Sequence, residues 1–222
     1  MRVSEIVTRV RAAIDELMVN DSGFLTESED EKNLTQVIID KISYGLQHVI
    51  EEAPLERIDS GLFEMLTTAQ MASSFSIDAN KVGMLKLPDD VIRIVEARLS
   101  SWSQFPIPVS DTTQVALMQQ DQYARGSWDR PVNVLTYDRS TGKGLLMMYS
   151  AKTAADTLNF LFIRKPTVPE PTQAVPDPEV GVPSRLEAAF IYQVAGLAMV
   201  AFREDVAASL FTIAEKELGN RL

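Results

Sequence analysis

The proline-rich stretch at residues 166–183, PTVPEPTQAVPDPEVGVP, places the strongest constraint on how this chain folds. It holds six of the eleven prolines, and proline fixes φ and withholds a backbone N–H donor. We therefore expect extended, polyproline-like backbone that neither a helix nor a central strand can include. The stretch is either an ordinary linker or an arm that lies along a neighbouring subunit, and the sequence favours neither alternative.

Two amphipathic helices are predicted near the N-terminus. Residues 4–19 carry apolar side chains at helical spacing, and Ser28 with Glu31 has the form of a capping box that opens a second helix. That second helix runs to about Ala53, and Pro54 stops it. We interpret the two helices as an antiparallel pair.

The middle of the chain has the sequence pattern of a small β-rich unit. Short apolar runs alternate with turn residues, which predicts antiparallel strands. The runs are Phe63–Met71, Lys81–Leu87, Val91–Leu99, Val132–Tyr137, Gly144–Tyr149 and Leu158–Arg164. The clearest hairpin spans 132–150, because its loop, Asp138–Gly144, holds glycines that can take a positive φ. One helix is expected within Ser110–Gln122, with Asp111 as its N-cap.

Two further helices are predicted after Pro183. Residues 184–202 are apolar on most sides, a pattern typical of a helix at the centre of a core or covered by a partner. Glu204 and Asp205 place acidic side chains in the first turn of the last helix, which ends near Gly219.

The order of these segments predicts an α+β fold. A four-helix core, made of two N-terminal and two C-terminal helices, comprises residues 1–60 and 184–222. A β-rich antiparallel insertion occupies residues 61–165, and the proline-rich extended crossing segment occupies residues 166–183.

Composition excludes several kinds of chemistry. The chain has no cysteine, which removes thiol nucleophiles, disulfides and cysteine-ligated zinc. The single histidine, His48, excludes multi-histidine metal sites and leaves one possible histidine base. Gly142-Lys143-Gly144 lacks the remainder of a phosphate-binding loop, and GxGxxG, GxSxG and HExxH are absent. We therefore expect no catalytic site, no cofactor and no metal.

We also expect no membrane association, because no run of about 18 apolar residues occurs.

Acidic residues are concentrated in one part of the chain. The net charge is −10, and residues 15–59 hold twelve acidic and three basic side chains. The segment is either a solvated helical face with an acidic loop, or a surface that repels DNA so that DNA slides past it. If the segment borders a passage for DNA, the acidic residues that are candidates to face its lumen are Glu27, Glu29, Asp30, Glu31, Glu51 and Glu52.

Aromatic and apolar side chains provide candidate interface residues. Tyr123 and Trp128 fit protein–protein contact better than base stacking, because few basic residues surround them. The full set of candidates is Trp102, Phe105, Tyr123, Trp128, Ile191 and Met199. If Ile191 and Met199 are interface residues, we expect Ile191→Glu or Met199→Glu to block assembly and leave a folded monomer.

Three stretches of the middle region are the most individual: LPDDVIRIVEARLSSW (87–102), YARGSWDRPVNVL (123–135) and GLLMMYSA (144–151). Together with the order of segments, they resemble the head-to-tail connector proteins of short-tailed bacteriophages, of the adaptor or tail-tubular-A type. The likeness is greatest to the ring proteins of crAss-like phages. The layout covers nearly the whole chain, and the specific likeness covers about residues 85–151.

The resemblance implies a structural virion protein and not an enzyme. Proteins of this kind form a dodecameric ring at the portal vertex, connect the capsid to the tail and extend the DNA channel. The implied partners are further copies of the chain, the portal protein and downstream tail or ring proteins, with double-stranded DNA passing without tight binding. The implied location is the virion neck, and the host cytoplasm during assembly.

Two other functions stay open. One is a different neck or tail accessory protein of the virion. The other is a small acidic enzyme, or a domain that regulates one, whose carboxylates the sequence does not pair. Such an enzyme would be a compact monomer with a deep pocket in which two or more carboxylates have perturbed pKa values.

Overall fold

The computed structural model describes residues 1–18, 29–121, 123–169, 171–172 and 175–219, with the side chains of residues 29–33 excepted. The chain divides into two compact units. The helical unit comprises Met1–Leu62 and Lys165–Leu222, and the β unit comprises Phe63–Arg164. The predicted capping residue Ser28 lies outside the described residues.

The fold is α+β. The described residues form five α-helices: α1 (Val3–Met18), α2 (Glu29–Glu52), α3 (Gln114–Met118), α4 (Glu187–Met199) and α5 (Glu204–Leu218). They also form eight strands: β1 (Phe63–Thr67), β2 (Phe75–Ile77), β3 (Val82–Lys86), β4 (Val91–Leu99), β5 (Ile107–Ser110), β6 (Val132–Tyr137), β7 (Gly144–Tyr149) and β8 (Leu158–Arg164). Single turns of 3₁₀ helix are described at Leu55–Arg57, Ser60–Leu62 and Ser184–Leu186.

Helix α4 packs against α1, α2 and α5 in the helical unit. Its all-round apolar surface is therefore covered by other helices of the same chain. Two glycines allow the backbones to approach: a Cβ at Gly45 would lie 2.6 Å from Val194 Cγ2, and one at Gly196 would lie 2.6 Å from Phe211 Cε1. Glycine costs a helix interior about 1 kcal/mol relative to alanine, and this close packing explains why it stands there.

The proline-rich segment lies against helix α1 and the N-terminus over residues 177–180. Val180 is fully buried, and its N–H donates to the carbonyl of Met1 over 2.7 Å. Asp177 accepts hydrogen bonds from the Ser4 N–H and Ser4 Oγ at 2.9 and 2.8 Å. Of the two alternatives that the sequence left open, these contacts favour a linker held by the N-terminus of the same chain.

The β unit contains two sheets that share one core. The first has strand order β1-β8-β4, and the second has the order β2-β3-β7-β6-β5. Their shared core combines side chains from both sheets, including Leu85, Leu146, Phe160 and Phe162. The predicted hairpin is confirmed, since β6 and β7 pair antiparallel and Gly142 has a φ of 69°.

One pairing differs from the predicted antiparallel insertion. Strand β5 pairs parallel with β6, and the connection between them contains α3. A crossover of a dozen or more residues is what a parallel pair requires. The N-cap of α3 is Thr113, not the predicted Asp111, because the Thr113 side chain accepts the N–H of Ala116.

We expect Gly45→Val to lower the free energy of unfolding of the helical unit by about 1–3 kcal/mol, because its side chain would overlap Val194. Urea unfolding followed by the helical circular-dichroism signal measures the change. Lys41→Val is the matched control, since it introduces the same side chain on the exposed face of α2 and should shift stability by at most about 0.5 kcal/mol. Equal effects at the two positions would contradict the close packing of α2 on α4.

Candidate functional site

The five-stranded sheet is apolar on both of its faces. Side chains alternate between faces along a strand, so Val132 and Val134 of β6 point to one face, and Asn133, Leu135 and Tyr137 point to the other. The first face packs against α3. The second continues the core shared with the three-stranded sheet.

A groove opens on the second face, beside β4. Its volume is about 650 Å³. Most of its lining side chains are apolar, and the lining also contains the charged residues Arg93 and Glu96. The apolar ones include Val91, Val95, Phe105, Leu135 and Tyr137. Phe105 and Tyr137 are each 69% exposed. Exposed apolar side chains gathered in one concave surface are typical of an interaction site.

Asn133 gives the groove lining an unsatisfied polar atom. The residue is 6% exposed, and its Nδ2 donates to the carbonyl of Ala97 over 2.8 Å. Its Oδ1 is buried and has no hydrogen-bond partner. A buried acceptor without a donor costs about 1–3 kcal/mol, and because this oxygen has almost no accessible surface it is not offered to a partner.

The edge of the sheet next to the groove is unsuited to adding a strand. The N–H of Ile107 points towards β6 and donates to the carbonyl of Pro131 over 3.0 Å. Successive backbone N–H groups of a strand point to opposite edges, so Pro106 and Pro108 stand where outward donors would be. Proline has no N–H to offer, and such residues protect an edge from further strand pairing.

Helix α3 forms the second apolar surface. Ala116 is buried against the sheet with Val132 and Val134. The neighbouring side chains Val115, Leu117 and Met118 are exposed, and Leu117 has 59% of its surface accessible. The two apolar surfaces therefore lie on opposite faces of the same sheet.

Three of the predicted interface residues are exposed in the β unit. Phe105 lines the groove, where the Arg98 guanidinium lies 5.2 Å from its ring centroid. Tyr123 is 96% exposed, and Trp128 is partly exposed, with Lys152 Nζ 4.7 Å from its ring centroid. These three stay candidate interface residues.

The other three predicted interface residues are buried, and the prediction is wrong for them. Trp102 belongs to the core of the β unit, and its Nε1 donates to the carbonyl of Ser150 over 3.1 Å. Ile191 and Met199 are buried on α4. A side chain that is already buried within its own chain has no surface left to offer a partner.

The sequence does not predict two exposed apolar surfaces, namely the groove residues on β6 and the outer face of α3. The apolar residues of both segments are nevertheless visible in the sequence. In VNVLTY, apolar residues occupy both parities of the strand, and in QVALM they surround the helix. Neither pattern identifies an exposed surface by itself, because a sequence does not show which apolar face lacks a neighbour.

The candidate lumen-facing acidic residues all belong to the helical unit. Glu27 lies outside the described residues, as do the side chains of Glu29, Asp30 and Glu31, which stand in the first turn of α2. Glu51 and Glu52 are exposed at the end of α2. Their orientation towards a lumen stays a prediction.

The net charge of −10 resides entirely in the helical unit. That unit holds 21 acidic and 11 basic side chains, whereas the β unit holds ten of each. The helical unit therefore repels both DNA and other helical units, and the β unit carries no such net repulsion.

Asp156 is the buried carboxylate of the described chain. It accepts hydrogen bonds from Ser101 Oγ at 2.5 Å, Thr153 Oγ1 at 2.9 Å and the Lys152 N–H at 2.8 Å. Burial raises its pKa, but the hydrogen bonds from Ser101, Thr153 and Lys152 outweigh burial and hold the pKa below its ordinary value. Asp156 therefore links the loop that contains Ser101 to the loop that contains Lys152 and Thr153 through hydrogen bonds.

Among the described residues, no group of three or more histidine, aspartate or glutamate side chains is arranged to hold a metal ion. His48 lies on α2, with its ring centroid 6.4 Å from that of Tyr44. No helix within the described ranges combines the length and the apolar character needed to cross a bilayer.

No known protein family has a model that matches this chain, and no curated protein matches it significantly.

We expect Met199→Glu to unfold the helical unit, because an unpaired charge at a fully buried position costs several kcal/mol. Val200→Glu is the matched control, since the neighbouring Val200 is 55% exposed and should tolerate the change. Thermal unfolding followed by circular dichroism compares the two variants. A folded Met199→Glu monomer with an unchanged melting temperature would show that the side chain is not core.

We expect Asp156→Asn to lower the free energy of unfolding at neutral pH by about 1–3 kcal/mol. The folded pKa of Asp156 is depressed, so its contribution is fully present above the ordinary pKa of 3.8 and is lost as the pH falls through the folded value. The difference between wild type and variant should therefore shrink below that pH, as urea titrations across pH would measure. The exposed Asp89→Asn variant should differ from wild type by at most about 1 kcal/mol. A difference for Asp156→Asn that is independent of pH would contradict this role.

Proposed function

We propose that this chain is a structural subunit of a phage virion that forms a ring at the portal vertex, connects the capsid to the tail and extends the DNA channel. The observation that carries the proposal is the pair of unlike apolar surfaces on opposite faces of one sheet. A closed ring repeats a single heterologous contact by rotation, and each subunit must therefore present two different complementary surfaces. The groove and the outer face of α3 supply two such surfaces.

The distribution of charge supports the same proposal. Neighbouring copies can approach through their β units, because these carry no net charge. The acidic helical unit suits the wall of a channel along which DNA moves without binding tightly. We further propose that α1, α2, α4 and α5 act together as a four-helix core that gives this wall its rigidity.

The partners follow from the position in the particle. The ring binds the portal protein on one side and downstream tail or ring proteins on the other, with about twelve copies in the closed ring. The chain performs this role without a cofactor. Its location is the virion neck, reached from the host cytoplasm during assembly.

Mass photometry of the full chain mixed with the portal protein encoded nearest to it tests the proposal. We expect a discrete complex that contains the portal and about twelve copies of the chain, the number that the ring proposal requires. The unmixed chain serves as the control, and it gives the mass of the free species. Failure of the chain to bind the portal at any concentration would contradict the proposed function.

A further inference from the structure

We propose that the groove of one copy receives the α3 helix of the next copy, so that identical chains join head to tail through their β units. This inference rests on the proposed function in one respect only, namely that copies of the chain assemble. It adds the identity of the two contacting surfaces.

The occupant of the groove is a helix and not an extended strand. Pro106 and Pro108 remove outward N–H donors from the edge of β5, so a strand added there would lack hydrogen bonds. On the other side, the pairing of β4 with β8 shifts register between Val91 and Arg93 and again between Ile94 and Glu96. Such bulges twist an edge away from a regular partner. The groove therefore binds through side chains.

Helix α3 has the chemistry that the groove requires. Its five residues, Gln114–Met118, carry no charge, and Leu117 and Met118 are exposed. The groove lining is apolar at Val91, Leu135 and Tyr137. Burial of large apolar side chains favours association, and the same contact is repeated at every junction of a closed ring.

The position of α3 makes the contact head to tail. The helix packs on the face of the sheet opposite to the groove, and the sheet separates it from the groove of its own chain. After one junction forms, each pair of copies still has one free groove and one free α3. Such a contact propagates until the ring closes.

The distribution of charge between the two units is compatible with a contact between β units. The β unit is neutral overall, and the helical unit carries the whole charge of −10. Two β units can therefore meet without net electrostatic repulsion. Two helical units repel each other, because both carry a net negative charge.

The absence of cysteine from the chain allows a direct test by cross-linking. One full-length variant carries Leu117→Cys on α3, and another carries Tyr137→Cys in the groove; both positions are exposed. The variants are mixed, with and without the portal protein, and treated with a short bismaleimide. We expect a cross-linked dimer from the mixture and little or none from either variant alone. The double variant should give a ladder of higher multimers.

The exposed Met65→Cys is the matched control, because Met65 lies on β1, at the edge of the three-stranded sheet opposite to the groove strand β4. Paired with either variant, it should give at least tenfold less product. Cross-linking of one variant with itself as efficiently as in the mixture, or no product from the mixture under both conditions, would overturn the inference. A ladder without binding to the portal would contradict only the proposed function, and a portal-bound ring without a ladder would contradict only this inference.

Discussion

The two-sided apolar character of β6 is the constraint on which the β unit depends. Val132 and Val134 on one face hold α3 against the sheet, while Leu135 and Tyr137 on the other extend the shared core into an open groove. A strand that is apolar on both faces must be covered on both. In this chain α3 covers one face and the three-stranded sheet covers part of the other, and the remainder of that face is exposed. The proposed assembly follows from this uncovered remainder.

Much of the fold could be predicted from local patterns. The β6–β7 hairpin followed from alternating apolar residues and from a loop glycine, Gly142, that takes a positive φ. The end of the last helix followed from Gly219, which adopts the left-handed conformation. Strand β5 was missed because Pro106 and Pro108 weaken a strand pattern, and edge strands are where proline is tolerated. Its parallel pairing with β6 depends on the path of the connection, which local periodicity does not reveal.

The candidate site was harder to predict, because exposure depends on neighbours that are distant in sequence. Trp102 and Tyr123 are both aromatic residues in the same region, yet one is buried in the core and the other is almost fully exposed. The apolar surface of α4 was compatible with a core or a partner, and three other helices of the chain cover it. Charge was more informative at the sequence level, because the excess of acidic residues falls within a single structural unit.

We propose that identical copies of the chain close into a ring on the portal. Electron microscopy of the chain bound to the portal protein shows whether such a ring forms. We expect particles with one closed ring of about twelve subunits, an open central channel and β units in contact between neighbours. Single copies scattered on the portal, or a ring joined only through the acidic helical units, would contradict it.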